Sequence, residues 1–138
     1  MGEKYNKIQR AYGEYFATAQ TVPQNTTADG DEGVQTGLVH GAMGGVSVTA
    51  EVNTALVLSP GKYCKVTLQH GDSATGQFAE LGTVCSVTGS GTQTRAAGTL
   101  LGRFIVPPEC KDYTKVVLAT DDVEATGALD VFPEMIPR

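Results

Sequence analysis

Few residues of this chain could do chemistry, and they are scattered. His70, Asp72 and Ser73 offer on paper the base, acid and nucleophile of a serine hydrolase. They are sequence neighbours, whereas the members of such a triad converge from separate loops, and no G-x-S-x-G elbow is present. His70 continues one face of an alternating stretch, so it is expected to be a strand-end histidine bonded to backbone. His40 and His70 are the only histidines. Sandwich enzymes of the cupin type hold a metal with a paired His-x-His, a Glu and a further His, which this chain cannot supply. Asp29, Asp31 and Glu32 cluster between glycines, but a calcium loop counted from Asp29 needs Glu at its twelfth position and meets His40. A solvated turn is expected there, and a solvated cap at Asp121-Asp122.

Phosphate loops fail in the same way. Gly61-Lys62 is followed by Tyr63 rather than Ser or Thr, and the Gly89–Thr94 stretch begins as G-x-G and ends on Thr. The three cysteines form no C-x-x-C pair, which argues against both a zinc–thiolate site and a disulfide framework. Cys64 alternates with Val66 and Leu68, and Cys85 with Leu81, Thr83 and Val87, so both are expected as small core side chains. Cys110 follows Pro107-Pro108-Glu109 and is expected in a turn. No catalytic, cofactor-binding or metal-binding residue is assigned, no cofactor is expected, and the protein is not read as an enzyme. A small enzyme built on His70 is the weakest reading.

The elements that carry these residues are legible in composition. The 138 residues fit one domain and include 17 Gly, 17 Thr and 15 Val. Val and Thr favour strands, while Gly punctuates turns. Only 18% of residues are charged and the net charge is −5, which argues against nucleic-acid binding through phosphates. No stretch approaches the ~18 apolar residues of a membrane span, and MGEKYNKIQR lacks the apolar run of a signal peptide. Production in a cytosol is expected, with no membrane partner.

From Val46 onward the apolar period is two. Val46, Val48, Ala50 and Val52 share one face; Ser47, Thr49, Glu51 and Asn53 share the other. Further strands are expected at Thr54–Leu58, Tyr63–His70, Ala79–Val87, Leu100–Val106, Lys115–Thr120 and Ala128–Met135. Turn signals recur at the spacing of a β-sandwich or barrel. Residues 46–138 are thus read as a β-sandwich domain. Residues 1–45 are read as an N-terminal arm and a polar, Gly-rich connection within the same single domain. In the arm, Tyr5, Ile8, Tyr12 and Tyr15 follow steps of three, four and three. That pattern fits an amphipathic helix, and an extended arm with docked aromatics fits the composition equally. Tyr5, Ile8, Tyr12, Tyr15 and Phe16 are the candidate partner contacts.

Two long segments carry a family resemblance. LSPGKYCKVTLQHGDSATGQFAELGTV (58–84) runs strand, acidic Gly turn, Phe, then ELGT. AGTLLGRFIVPPECKDYTKVVLATDDVEATGALDVFPEMIPR (97–138) holds Leu-x-x-Arg-Phe-x-x-Pro, a Tyr leading into an apolar strand, an acidic turn, and Thr-Gly before the last strand. In that order the chain resembles the small capsid cement (decoration) proteins of tailed bacteriophages, the kind related to the cement protein of Bordetella phage. The aromatic-rich start, with Tyr5, Tyr12, Tyr15 and Phe16, departs from the family pattern. The resemblance implies a jelly-roll-like antiparallel β-sandwich that forms a homodimer or homotrimer. It further implies a structural virion protein, made in the host bacterial cytoplasm. Such a protein binds the outer capsid surface and bridges subunits of the major capsid protein. The alternative reading is a carbohydrate-binding sandwich module on a phage or bacterial surface. Trp is absent, and Tyr63 and Tyr113 are the tyrosines outside the arm that could stack on sugar rings.

Overall fold

A computed structural model describes residues 9–10, 15–36, 45–89 and 94–136. These residues form eleven strands: β1 (Gln9–Arg10), β2 (Ala17–Thr21), β3 (Thr27–Asp29), β4 (Gln35–Thr36), β5 (Gly45–Val57), β6 (Tyr63–Gly71), β7 (Ala79–Thr88), β8 (Thr94–Arg95), β9 (Leu100–Ile105), β10 (Tyr113–Thr120) and β11 (Thr126–Ile136). No helix occurs among the described residues.

All pairings are antiparallel, and they build two sheets. One has six strands: β11 lies between β5 and the β1/β2 pair, and β5 carries β8 and β9 on its other side. The other has five: β10 lies between β6 and the β3/β4 pair, and β7 flanks β6. The short strands β1, β4 and β8 continue the lines of β2, β3 and β9 along the same partners. The fold is an all-β antiparallel sandwich.

The alternation that marked the strands places its apolar face between the sheets. Val46, Val48, Ala50 and Val52 from β5 meet Cys64, Val66 and Leu68 from β6 and Val116 and Leu118 from β10, all buried. Each such Val or Leu removed from water contributes roughly 1.5–3 kcal/mol. Phe16, Ala17 and Val22 join the same core. On one side the chain itself joins the sheets, passing from β2 to β3 through Val22, whose N–H donates to Gly127 O (3.1 Å). On the other side β7 and β9 approach closely, and glycine makes this contact feasible. A Cβ on Gly82 would stand 2.2 Å from Phe104 Cε1, and one on Gly102 would stand 2.3 Å from Val84 O.

Several expectations change. The segments expected separately at Val46–Val52 and Thr54–Leu58 fall in one strand that ends at Val57, its register with β11 shifting opposite Thr126–Leu129. Ser47 and Thr49, expected on a solvated face, are buried on the outer side of the six-stranded sheet. There Thr49 Oγ1 donates to Glu134 Oε1, and Arg103 Nη2 lies 3.2 Å from the same carboxylate oxygen. Ser47 Oγ is buried without a hydrogen-bond partner among the described residues. Thr83, expected to face inward with Cys85, is exposed, because a register shift between Val66 and Thr67 makes Val84 and Cys85 the buried pair of β7. The expected connection over 23–45 contains β3 and β4, and residues 17–21 are strand rather than helix. Residues 17–36 therefore contribute strands to both sheets, although the sequence reading placed them ahead of the sandwich domain.

Candidate functional site

Of the five candidate contact residues, Tyr5, Ile8 and Tyr12 lie outside the described residues. Tyr15 is half-buried and its ring makes a tilted contact with Phe132, centroids 5.1 Å apart. Phe16 is fully buried. Its N–H donates to Val131 O (2.8 Å) on β11, and its carbonyl accepts from Glu32 N–H (3.1 Å). Both described aromatics thus anchor the segment to its own body.

The acidic cluster takes part in the same anchoring and is not a merely solvated turn. Asp31 Oδ1 accepts the Thr18 N–H (3.0 Å), while the Asp31 N–H donates to Gln20 Oε1 (2.8 Å). Gln20 Nε2 donates to Asp29 O (2.9 Å). These bonds hold β2 against the end of β3 and the turn that follows it. The strained Ala19, at φ +46°, is held by its N–H donating to Asp130 Oδ1 (2.7 Å).

Asp122 is likewise no solvated cap: it is 2% exposed. Its carboxylate accepts the Ser59 N–H (2.6 Å), the Ser59 hydroxyl (3.1 Å) and the Glu124 N–H (2.9 Å). Asp121 accepts the Tyr63 N–H (2.8 Å). The pair staples the β10–β11 turn to the β5–β6 turn. The Ser59 and Glu124 amides hold the Asp122 carboxyl below its usual range. An Asp-Asp turn and a Ser-Pro-Gly turn were both visible in sequence; their meeting required the topology.

His70 behaves as expected. Its Nδ1 accepts the Lys111 N–H (3.1 Å), so that nitrogen is occupied by backbone. Lys111 Nζ pairs with the exposed Asp72 (3.1 Å). No group of three His, Cys, Asp or Glu side chains that could hold a metal ion occurs among the described residues. The three cysteines are free and buried. Burial pushes the Cys64 thiol up to about 11 and the Cys85 thiol up to about 12. Cys110 is raised too, by burial first and then by Asp112 and Glu109. None of them is an activated nucleophile.

Two exposed features stand out among the described residues. The first is the edge strand β9, where Leu100 (51% exposed) and Ile105 (58%) flank Arg103 on the outer face of the six-stranded sheet. The second is an open groove of about 510 Å³ on the outer face of the five-stranded sheet. The strand register builds this groove. Thr27, Ala119, Lys65 and Ser86 stand in one row across β3, β10, β6 and β7, and Asp29, Val117, Thr67 and Thr83 in the next. Small side chains in the middle of these rows leave the depression, with Tyr63 at one end of β6 and Glu80 on β7. Sequence alternation had placed Tyr63, Lys65 and Thr67 on one face; Thr27, Glu80 and Ser86 joined them only through pairing. The chain matches no protein-family model, no curated protein and no solved structure.

Proposed function

We propose that this chain is a capsid cement (decoration) protein of a tailed bacteriophage. In this reading it is made in the host bacterial cytoplasm and binds the outer surface of the head. There it stabilises the shell by bridging major capsid protein subunits as a homodimer or homotrimer. Strand order is the observation that carries the reading. Along eight strand lines in chain order, the six-stranded sheet runs first, eighth, third, sixth and the five-stranded sheet runs second, seventh, fourth, fifth. That order is read as a jelly roll, a double-sheet arrangement used by viral capsid and lectin domains, and it agrees with the fold implied by the resemblance over 58–84 and 97–138.

Two further features support it. The β9 edge exposes Leu100 and Ile105, and among the described residues β9 pairs with β5 alone, a combination suited to a protein partner. A net charge of −5 suits the outside of a shell whose genome lies within. A cement protein needs rigidity and repeated modest contacts rather than a catalytic centre, since each copy gains from effective concentration across several subunits.

The test is to mix purified protein with undecorated heads, follow co-sedimentation, and measure the free oligomer by light scattering. Binding to heads is expected, reduced in Leu100→Lys and Ile105→Lys variants that keep the wild-type far-UV spectrum. Absence of binding by the wild-type protein overturns the assignment.

A further inference from the structure

We infer that the groove on the outer face of the five-stranded sheet binds a neutral oligosaccharide, an activity separate from capsid association. Its size falls within the ~300–1,000 Å³ of small-ligand sites, at about 510 Å³. It is open along the sheet and floored by Thr67, Ser86, Val117 and Ala119. A chain of rings could therefore lie along it rather than plug it.

The lining matches a polyhydroxyl ligand. Tyr63 is 38% exposed and presents an apolar ring with a hydroxyl tip. Such a ring suits the C–H face of a pyranose, while its edge remains able to hydrogen-bond. Thr27, Thr67 and Ser86 contribute hydroxyls that both donate and accept.

Charge selects the ligand class. Lys65 and Glu80 face the groove, and neither side chain makes a hydrogen bond or ion pair among the described residues. On the same face Lys115 is committed: its Nζ lies 3.3 Å from Asp29 Oδ2 and 5.0 Å from the centroid of the Phe78 ring. One uncommitted ammonium and one uncommitted carboxylate offer a donor and an acceptor with no net charge. A phosphate or uronate would meet Glu80, and a cationic ligand would meet Lys65. A neutral sugar can use both. All these side chains stand on paired strands, so the site is held before the ligand arrives.

The experiment is calorimetric titration of the full chain with cellohexaose, maltohexaose and chitohexaose, with oligogalacturonate as the anionic control. At least one neutral hexasaccharide is expected to bind, and oligogalacturonate is expected to bind more weakly. Tyr63→Ala, Lys65→Ala and Glu80→Gln should each weaken binding roughly 3- to 10-fold, with unchanged far-UV spectra. Tyr113→Phe, outside the groove lining, should bind as wild type. Binding of none of the neutral probes overturns the inference. So does preference for the anionic control, or wild-type affinity in Tyr63→Ala. Head association by the three groove variants, measured in parallel, should equal wild type, so loss of sugar binding and loss of capsid binding are read separately.

Discussion

Phe16 separates two accounts of the N-terminal segment. If the segment is a detachable arm, Phe16 belongs to a partner and its removal leaves the fold intact. In the structure Phe16 is fully buried, and its backbone reaches β11 on one side and Glu32 on the other. Phe16→Ala keeps those backbone bonds and deletes the ring, so the loss is one of packing and transfer. For a buried phenylalanine this costs about 3–5 kcal/mol, against a whole-domain stability of about 5–15 kcal/mol. At about 4 °C per kcal/mol for a chain of this size, Tm should fall by about 12–20 °C. Urea unfolding followed by far-UV circular dichroism measures this directly. The midpoint should drop with an unchanged slope. Deleting residues 1–20 removes Phe16, Ala17 and most of β2, and should leave a chain unfolded or far less stable at 25 °C. A Phe16→Ala loss below about 1 kcal/mol, together with a truncation that melts like wild type, would refute the core placement and return Phe16 to the candidate partner contacts.

The other predictions concern the sheet approach, the buried polar groups and the thiols. Gly82→Ala drives a Cβ into the Phe104 ring and should cost about 1–3 kcal/mol; in a Phe104→Ala background that penalty should largely vanish, and a denaturation double-mutant cycle reads the coupling. Ser47→Ala removes the unpartnered buried hydroxyl and should stabilise by about 1 kcal/mol in the same assay; destabilisation would reveal a bond to that oxygen. Because Asp122 titrates lower folded than unfolded, its contribution is complete above the ordinary carboxylate range and is lost as pH falls through its folded value. Asp122→Asn should therefore flatten the acid limb of a Tm-against-pH curve, and an unaltered limb would count against the role. Native protein at pH 8 should show no fast thiol with a disulfide reagent, whereas unfolded protein should titrate all three cysteines; a rapid native reaction at Cys64 or Cys85 would contradict their burial.

What was legible in sequence follows from what makes a strand show. β5 and β6 put Val, Leu and Cys on one face against mostly polar residues on the other, and a period of two follows directly from that geometry. Bulges interrupt the pattern: the shift at Val66/Thr67 exchanges Thr83 for Val84 in the core. β2 has no alternation to read, since ATAQT buries Ala17 at one end and is held by Asp31, Gln20 and Asp130 bonding to backbone and side chain across the chain. Its polar composition, which suggested an arm, is the composition of a strand secured by carboxylates and amides rather than by apolar side chains. The two surfaces were hidden for a different reason. A groove row such as Thr27, Ala119, Lys65 and Ser86 joins positions from four strands, so no window of sequence contains it. Tyr63 and Lys65 could be placed on one face of one strand, but whether that face was a site depended on which small residues stood beside them. The pairing of β3, β10, β6 and β7 supplies Ala119, Val117 and Ser86, and with them the depression that an exposed tyrosine alone would not make. On this account Val117→Phe or Ala119→Leu, which fill the floor and leave every polar group in place, should weaken hexasaccharide binding as much as Tyr63→Ala, because the site consists of shape as well as of donors and acceptors.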